Sequence, residues 1–298
     1  MAKALNPSPS KIGVVVNPNK VGAESAVPQL RRTFEAAGVE IRFDASGCKI
    51  EGSTPEWSSE DLLEWSELVV SLGGDGTLLG TARLMSSAGI FRPLAGINIG
   101  TLGFLTCGTM EELDGITTHL GDGTFHVSGR RLLAIRLVES ASGRVVDSWL
   151  ALNELMIGRG ARSRLVKIEA KINGEFLNNY HADGLLVATP TGSTAYSLSA
   201  GGPLIAPESG VLVLTPICPH ALSVRSLIVA EESQLELAPV ECGEDVYLTI
   251  DGLQVAELVE GFEVVVQRSE STIPLVSMAG QSFYKTLRKK LRWQGSSV

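Results

Sequence analysis

The stretch Leu68-Val69-Val70-Ser71-Leu72-Gly73-Gly74-Asp75-Gly76-Thr77, continued by Leu78 to Ser87, decides how the first part of this chain folds. A short apolar run, a glycine-rich turn and a segment of helical character read as strand, tight turn and helix. Glycines let backbone amides approach a ligand without side-chain obstruction, and the start of a helix favours anions. One carboxylate, Asp75, stands alone among small residues at that turn. The combination suits phosphoryl transfer. On the pattern alone, the alternative is an Asp that only orders a strand-to-helix turn.

Upstream of this stretch, Ile12 to Val16 reads as a buried strand, and Glu24 to Ala37 sets Val27, Leu30, Phe34 and Ala37 at helical spacing before Gly38. Val39 to Phe43 reads as another strand, and Ser59 to Trp65 as a short helix opened by a serine cap. Such alternation predicts a mostly parallel sheet, whose ligands gather beyond the carboxyl ends of its strands, where Asp75 falls. The texture changes near Phe125. Apolar segments at Leu132–Val138, Val145–Leu152, Leu165–Ile172, Leu185–Ala188, Val211–Leu214, Leu235–Leu237, Val246–Ile250 and Val264–Val266 are broken by Gly and polar turns, which predicts packed sheets. Phe283 to Trp293 returns to helical spacing, with Phe283, Leu287 and Leu291 on one face and Lys285, Arg288, Lys289, Lys290 and Arg292 elsewhere. We expect the apolar stripe to dock on the protein and the basic residues to be solvated. A length of 298 residues accommodates two domains. We place an α/β domain at 11–124, an all-β domain at 125–279 and a terminal helix at 280–298.

About a hundred residues after the glycine turn comes a second distinctive segment. Asp183-Gly184 and the apolar Leu185 to Ala188 lead into Thr189-Pro190-Thr191-Gly192-Ser193-Thr194-Ala195-Tyr196-Ser197-Leu198-Ser199-Ala200-Gly201-Gly202-Pro203. With both segments in hand, the sequence closely resembles the NAD kinase family. Further motifs carry the resemblance, namely Asn98 to Leu105, Asn153-Glu154, Pro219 to Ser223 and the closing Leu287 to Trp293. It spans roughly Lys11 to Trp293. The Gly-Gly-Asp-Gly element is shared with lipid kinases and phosphofructokinases, whereas Thr-Pro-Thr-Gly-Ser-Thr-Ala-Tyr discriminates. The resemblance implies a Rossmann-like parallel sheet, an all-β sandwich-like second domain and a C-terminal helix that returns to the first. It implies transfer of the γ-phosphoryl group of ATP to the adenosine-ribose 2′-hydroxyl of NAD, with a divalent cation such as magnesium. It also implies a homodimer or homotetramer. The alternatives are a lipid kinase of the diacylglycerol or sphingosine type and a non-catalytic NADP-binding sensor.

Composition sets outer bounds. Hydrophobic residues at 44% are ample for two cores, and a net charge of −8 argues against a nucleic-acid footprint, which needs a basic patch. Cys48, Cys107, Cys218 and Cys242 are widely separated, without zinc spacing, and read as unpaired thiols. No signal-peptide core occupies residues 1–10, and no apolar run reaches the roughly 20 residues of a membrane helix. A cytoplasmic location without membrane partners is the expectation.

The chemistry is expected at few positions. A ribose hydroxyl attacking a γ-phosphoryl group needs alignment, neutralised phosphate charge and a place for its proton. The resemblance gives Asp75 the proton-acceptor role; ordering the turn or binding magnesium is the alternative. No Gly-x-x-x-x-Gly-Lys-Ser/Thr loop and no Gly-x-Gly-x-x-Gly fingerprint after a strand is present, so neither a P-loop nor an ordinary dinucleotide cradle is available. The amides around Gly73, Gly74, Gly76 and Thr77 are the expected donor site, with magnesium bridging the phosphates and no side-chain metal ligand assigned. Arg83, on the helix that follows, is expected to be exposed. For the NAD site the resemblance carries over Asp75, Gly76, Asn153, Glu154, Arg164, His181, Asp183, Thr194, Ala195, Tyr196, Ser197, Leu198 and Ser199. Glu154 is read as an acceptor-only carboxylate for ribose hydroxyls or the adenine amino edge, and Tyr196 as an aromatic face for a base. His181 stands where the family often has a basic residue and would make phosphate contact pH dependent. His220 is read as structural. The family's Asp-Gly-Gln is here Asp251-Gly252-Leu253-Gln254, and the extra residue leaves Gln254 unassigned.

Overall fold

A computed structural model of the chain describes residues 6–160, 165–240 and 245–293. It divides into two compact units, residues 1–129 with 273–298, and residues 130–272.

In the first unit β1 (Lys11–Val16), α1 (Ala23–Ala36), β2 (Glu40–Phe43), α2 (Ala45–Ile50), α3 (Ser59–Trp65), β3 (Leu68–Gly73), α4 (Asp75–Ala88), β4 (Leu94–Asn98), β5 (Gly108–Thr109) and α5 (Leu113–Gly121) follow in order. The strands form a parallel sheet in the order β2-β1-β3-β4, with β5 also parallel to β4. Every residue of β3 is buried, which explains its unbroken apolar run. Helix α1 turns Val27, Leu30 and Phe34 inward, and each is fully buried. Each such side chain contributes about 1.5–3 kcal/mol of burial free energy. Ser58 caps α3 in a reciprocal capping box with Asp61.

The second unit is built from antiparallel strands. After β6 (His126–Glu139), which begins in the first unit, come β7 (Arg144–Ala151), β8 (Glu154–Arg159), β9 (Val166–Ile172), β10 (Glu175–Ala182), β11 (Gly184–Ala188), the one-turn α6 (Tyr196–Ser199), β12 (Val211–Ile217), β13 (Leu227–Ala230), β14 (Leu235–Val240), β15 (Val246–Ile250), β16 (Leu253–Glu257) and β17 (Phe262–Ser277). One sheet runs β13-β12-β11-β8-β15-β16; the other holds β10-β9-β14-β17, with β6 and β7 attached through β17. Leu155, Ile157, Leu185 and Leu248 of the first sheet meet Ile168, Leu237 and Val264 of the second in one core.

Strand β17 ends in the first unit, where Leu275 pairs in parallel with Leu94, and α7 (Phe283–Leu291) follows. The chain therefore rejoins the first unit at Ile273, earlier than the expected 280, because the end of the last strand already extends the parallel sheet. On α7, Leu287 is the buried anchor and the basic residues are exposed. Cys48 and Cys107 are buried and Cys218 is exposed; Cys242 lies outside the described residues.

Candidate functional site

Two clusters of sequence-singled residues form, one in each unit. In the first, β3 hands over to α4 within two residues. A side chain at Gly73 would place its Cβ 2.2 Å from Thr77 Oγ1, so only glycine permits this close turn. Gly74 is fully extended, and its carbonyl accepts from the amides of Thr77 and Leu78, both at 3.0 Å. The amides of Asp75 and Gly76 stand at the open end of the helix, where the partial positive charge of its dipole lies. Space around Gly76 is open, with no atom within 4 Å of a Cβ placed there.

The Asp75 carboxylate turns across to the loop after β4. It accepts from the amides of Phe104 at 2.8 Å and Leu105 at 3.1 Å. Asn98 ties down the same loop, donating to the Thr101 carbonyl at 2.7 Å and accepting from the Gly100 amide at 3.0 Å. The Asn98 to Leu105 motif is therefore a loop strapped to two side chains, one of them Asp75. Gly103 lies so close to the carboxylate that a Cβ there would stand 1.9 Å from Asp75 Oδ1.

A cavity of about 390 Å³ opens here, lined by Gly74, Asp75, Gly76, Thr77, Asn98 and Thr101 and by two cations, Lys20 and Lys290. Gly73 is buried beneath rather than lining it. Arg83 is exposed on α4. Among the described residues no three His, Cys, Asp or Glu side chains cluster as a metal cage. One carboxylate with nearby hydroxyls and amides fits a magnesium ion that arrives on a triphosphate, since magnesium keeps several waters and uses few protein ligands.

In the second unit the register of the sheet sets three strand ends together. Glu154 is opposite Ala188 of β11, and Leu155 opposite Ile250 of β15. Asp251 and Gly252, with φ of 46° and 79°, make the two-residue turn from β15 to β16, as an Asp-Gly pair favours. From that turn the Asp251 carboxylate accepts from the amides of Leu152 at 2.8 Å, Asn153 at 2.8 Å and Glu154 at 3.1 Å. The Thr-Pro-Thr-Gly segment closes on the same corner. Thr189 donates its amide to the Asn153 carbonyl at 2.8 Å and its hydroxyl to the Leu152 carbonyl at 2.7 Å. Gly192 packs so tightly that a Cβ would lie 2.2 Å from the Asn153 carbonyl oxygen.

Asn153 and Glu154 are buried, at 5% and 8% exposure, yet among the described residues Asn153 Oδ1 and Glu154 Oε2 have no hydrogen-bond partner. Buried polar atoms are ordinarily paired, so these two mark a place for a ligand. Burial, reinforced by the charge of Asp251, pushes the Glu154 carboxyl up to about 8, while the Tyr196 amide pulls it the other way. That upward shift favours the protonated carboxyl more than the acceptor-only reading of Glu154 assumes.

The remaining positions divide. Ser197 is buried and bonded to Thr215 at 3.0 Å, while Thr194, Ala195 and Leu198 are half-buried and Tyr196 and Ser199 exposed. Asp183 pairs with Arg159 at 2.6 Å. His181 is exposed on β10, its carbonyl accepting from the His220 amide at 2.8 Å, and both line a groove of about 530 Å³. Gln254 is exposed on β16, opposite Thr249. Arg164 lies outside the described residues. Sequence reasoning did not select Lys20, Lys290, Arg159 or Asp251 as site residues. Only Asp251 carried a local signal, the Asp-Gly turn.

Comparison with known proteins adds family and fold. The family model described as ATP-NAD kinase N-terminal domain matches residues 12–125, and that described as ATP-NAD kinase C-terminal domain matches 152–278. The NAD kinase of Koribacter versatilis is 37% identical over 283 residues, covering 95% of this chain and 98% of that protein. The NAD kinase of Moorella thermoacetica is 36% identical over 288 residues, covering 96% and 90%. Among solved structures, an NAD kinase from Archaeoglobus fulgidus in complex with ATP superposes with a TM-score of 0.74 at 25% identity, over 96% of this chain and 100% of that one. Yeast NADH kinase complexed with NADH shares the fold, with a TM-score of 0.86 at 24% identity over 100% and 90% of the two chains.

Proposed function

This chain belongs to the NAD kinase family, and from that premise we infer that it transfers the γ-phosphoryl group of ATP to the adenosine-ribose 2′-hydroxyl of NAD, forming NADP and ADP. The observation that carries the assignment of residues is the lone carboxylate of Asp75, held by two backbone amides at an anion-favouring helix start beside two lysines. The ribose oxygen bonds to the γ-phosphorus, the bond from that phosphorus to the bridging oxygen of ADP breaks, and the hydroxyl proton passes to Asp75. Because such transfers are loose, late acceptance by a fixed carboxylate is enough. Two amide hydrogen bonds keep the carboxylate in one orientation, which is the positioning the step requires. The amides of Asp75 and Gly76 and the ammonium groups of Lys20 and Lys290 hold the triphosphate. When carried in on the triphosphate, magnesium would supply further charge neutralisation in the cavity lined by Asp75, Thr77 and Asn98.

In the second unit, Asn153, Glu154 and the Thr194 to Ser199 segment receive the dinucleotide, with Tyr196, 44% exposed, offering its ring to a base. Gly76, Asp183 and His181 complete the expected set. The orphaned Asn153 and Glu154 atoms suit a hydrogen-bonding nucleotide and not the apolar tail of a lipid, so the lipid-kinase alternative lacks a supporting site. A sensor that only binds NADP has no use for a carboxylate beside a phosphate-binding helix start. No described helix is long and apolar enough to cross a membrane. The cytoplasmic, dimeric or tetrameric form is part of this proposal, and solution mass measurement tests its assembly.

The decisive assay combines purified protein, NAD, magnesium and ATP, with NADP read by a coupled dehydrogenase. Asp75→Asn should lower turnover by roughly a hundred- to ten-thousandfold and retain NAD binding. Wild-type turnover in that variant removes Asp75 from the mechanism.

A further inference from the structure

Asp251 is separated by nearly a hundred residues from the corner it holds, yet its carboxylate takes the amides of all three residues there. Its own amide donates back to the Glu154 carbonyl at 3.0 Å. A carboxylate spread over three N–H groups fixes a backbone firmly, because charge-assisted hydrogen bonds are roughly twice as strong as neutral ones. The turn that presents it bends Asp251 into the left-handed region, at φ 46°, a conformation Asp tolerates better than most side chains. The clamp holds the backbone of two side chains whose outer oxygens are buried without partners.

The surroundings of Glu154 decide what it offers a ligand. The turn after β15 brings Asp251, α6 contributes a backbone amide from Tyr196, and β11 sets the apolar Ala188 opposite. Among the described residues no Lys, Arg or His acts on it. A buried carboxyl facing a second carboxylate is biased toward its protonated form.

Resting on the NAD kinase reading above, we propose that Asp251 is a positioning residue for the pyridine-dinucleotide site. Its carboxylate fixes the Leu152–Glu154 backbone, and its charge makes Glu154 a hydrogen-bond donor to an acceptor atom of the nucleotide, such as a ring nitrogen or a sugar oxygen. Asn153 Oδ1 is the acceptor beside it. The corner then reads one acceptor and one donor edge of its ligand, a pattern that an ionised Glu154 cannot present. Burial and the Asp251 charge place the carboxyl at about 8, so the donor form dominates below that pH and is lost above it. NAD affinity should fall about tenfold for each pH unit beyond that point.

The test measures NAD binding by calorimetry from pH 6.5 to 9.5 without ATP, so that proton transfer to Asp75 is not read. NADP formation by the wild-type protein with ATP checks the family reading separately. The wild-type dissociation constant should be flat below pH 8 and rise above it. Glu154→Gln keeps an N–H donor that does not titrate and should give a flat profile. Asp251→Asn removes the like charge and should start the rise at lower pH, with weaker binding throughout as the clamp loosens. A wild-type enzyme that makes NADP yet binds NAD equally at every pH overturns the proposal. So does a Glu154→Gln protein that keeps the alkaline rise, whether or not Asp251→Asn folds. An Asp251→Asn profile unmoved on the pH axis overturns the role of its charge.

Discussion

Gly103→Ala should disable the enzyme without touching a ligand. Gly103 is not among the glycines with positive φ, so alanine can adopt its backbone, and the effect is one of space. The new methyl would stand 1.9 Å from Asp75 Oδ1 and 2.5 Å from its Cγ. Comfortable contact is about 3.5 Å, so carboxylate and loop must part by more than 1 Å. That separation breaks the bonds to the Phe104 and Leu105 amides, now 2.8 Å and 3.1 Å. Hydrogen bonds to a charged group contribute about 1.5–3 kcal/mol each, so up to about 3–6 kcal/mol of local organisation is lost before relaxation recovers part of it. A displacement of about 1 Å at a reacting group costs about a hundredfold in rate. We expect kcat for NADP formation to fall roughly a hundredfold, with the dissociation constant for NAD within about threefold. The variant combined with Asp75→Asn should be no slower than Asp75→Asn alone, because both act on one carboxylate. A Gly103→Ala protein with kcat within threefold of wild type would falsify the idea that this loop positions the proton acceptor.

Other substitutions probe other parts. Lys20→Ala and Lys290→Ala remove the two cations at the Asp75 cavity, and each should raise KM for ATP about tenfold while leaving NAD binding unchanged, as steady-state kinetics and calorimetry can separate. An effect on NAD alone removes these lysines from the donor site. Gly192→Ala sets a Cβ against the Asn153 backbone, 2.2 Å from its oxygen and 2.5 Å from its carbonyl carbon, where nothing flexible can yield. It should lower unfolding stability in urea by at least about 1–3 kcal/mol and weaken NAD binding; unchanged values for both refute the packing argument.

Much of the fold was legible locally. The buried run Leu68–Leu72 and the 3.6-residue spacing of Val27, Leu30 and Phe34 gave the strand-helix alternation, because burial imposes those periods. Strand β10 escaped, since Glu175, Asn178, Asn179 and His181 interrupt its apolar residues and, among the described strands, it is an edge strand paired with β9 alone. Helix α2 also escaped, although Asp44, which accepts from the Gly47 amide at 2.9 Å, is an N-cap readable in the sequence. In Thr189 to Ser199, the length of small polar residues marked a site. It did not distinguish Ser193, which accepts from the Ile205 amide at 3.1 Å, from the half-buried Thr194.

The sequence by itself determined which turns need glycine, where one carboxylate stands alone, and that an α/β half precedes a β half. These are properties of neighbouring residues, and local backbone geometry enforces them. Only the tertiary structure decided that Lys20 and Lys290 flank Asp75, that Gly103 touches it, and that Asp251 grips Asn153 and Glu154. Such pairings join distant parts of the chain through sheet register and loop closure, which spacing does not encode. The upward shift of the Glu154 carboxyl is of the same kind: it depends on burial and on a second carboxylate brought near by folding.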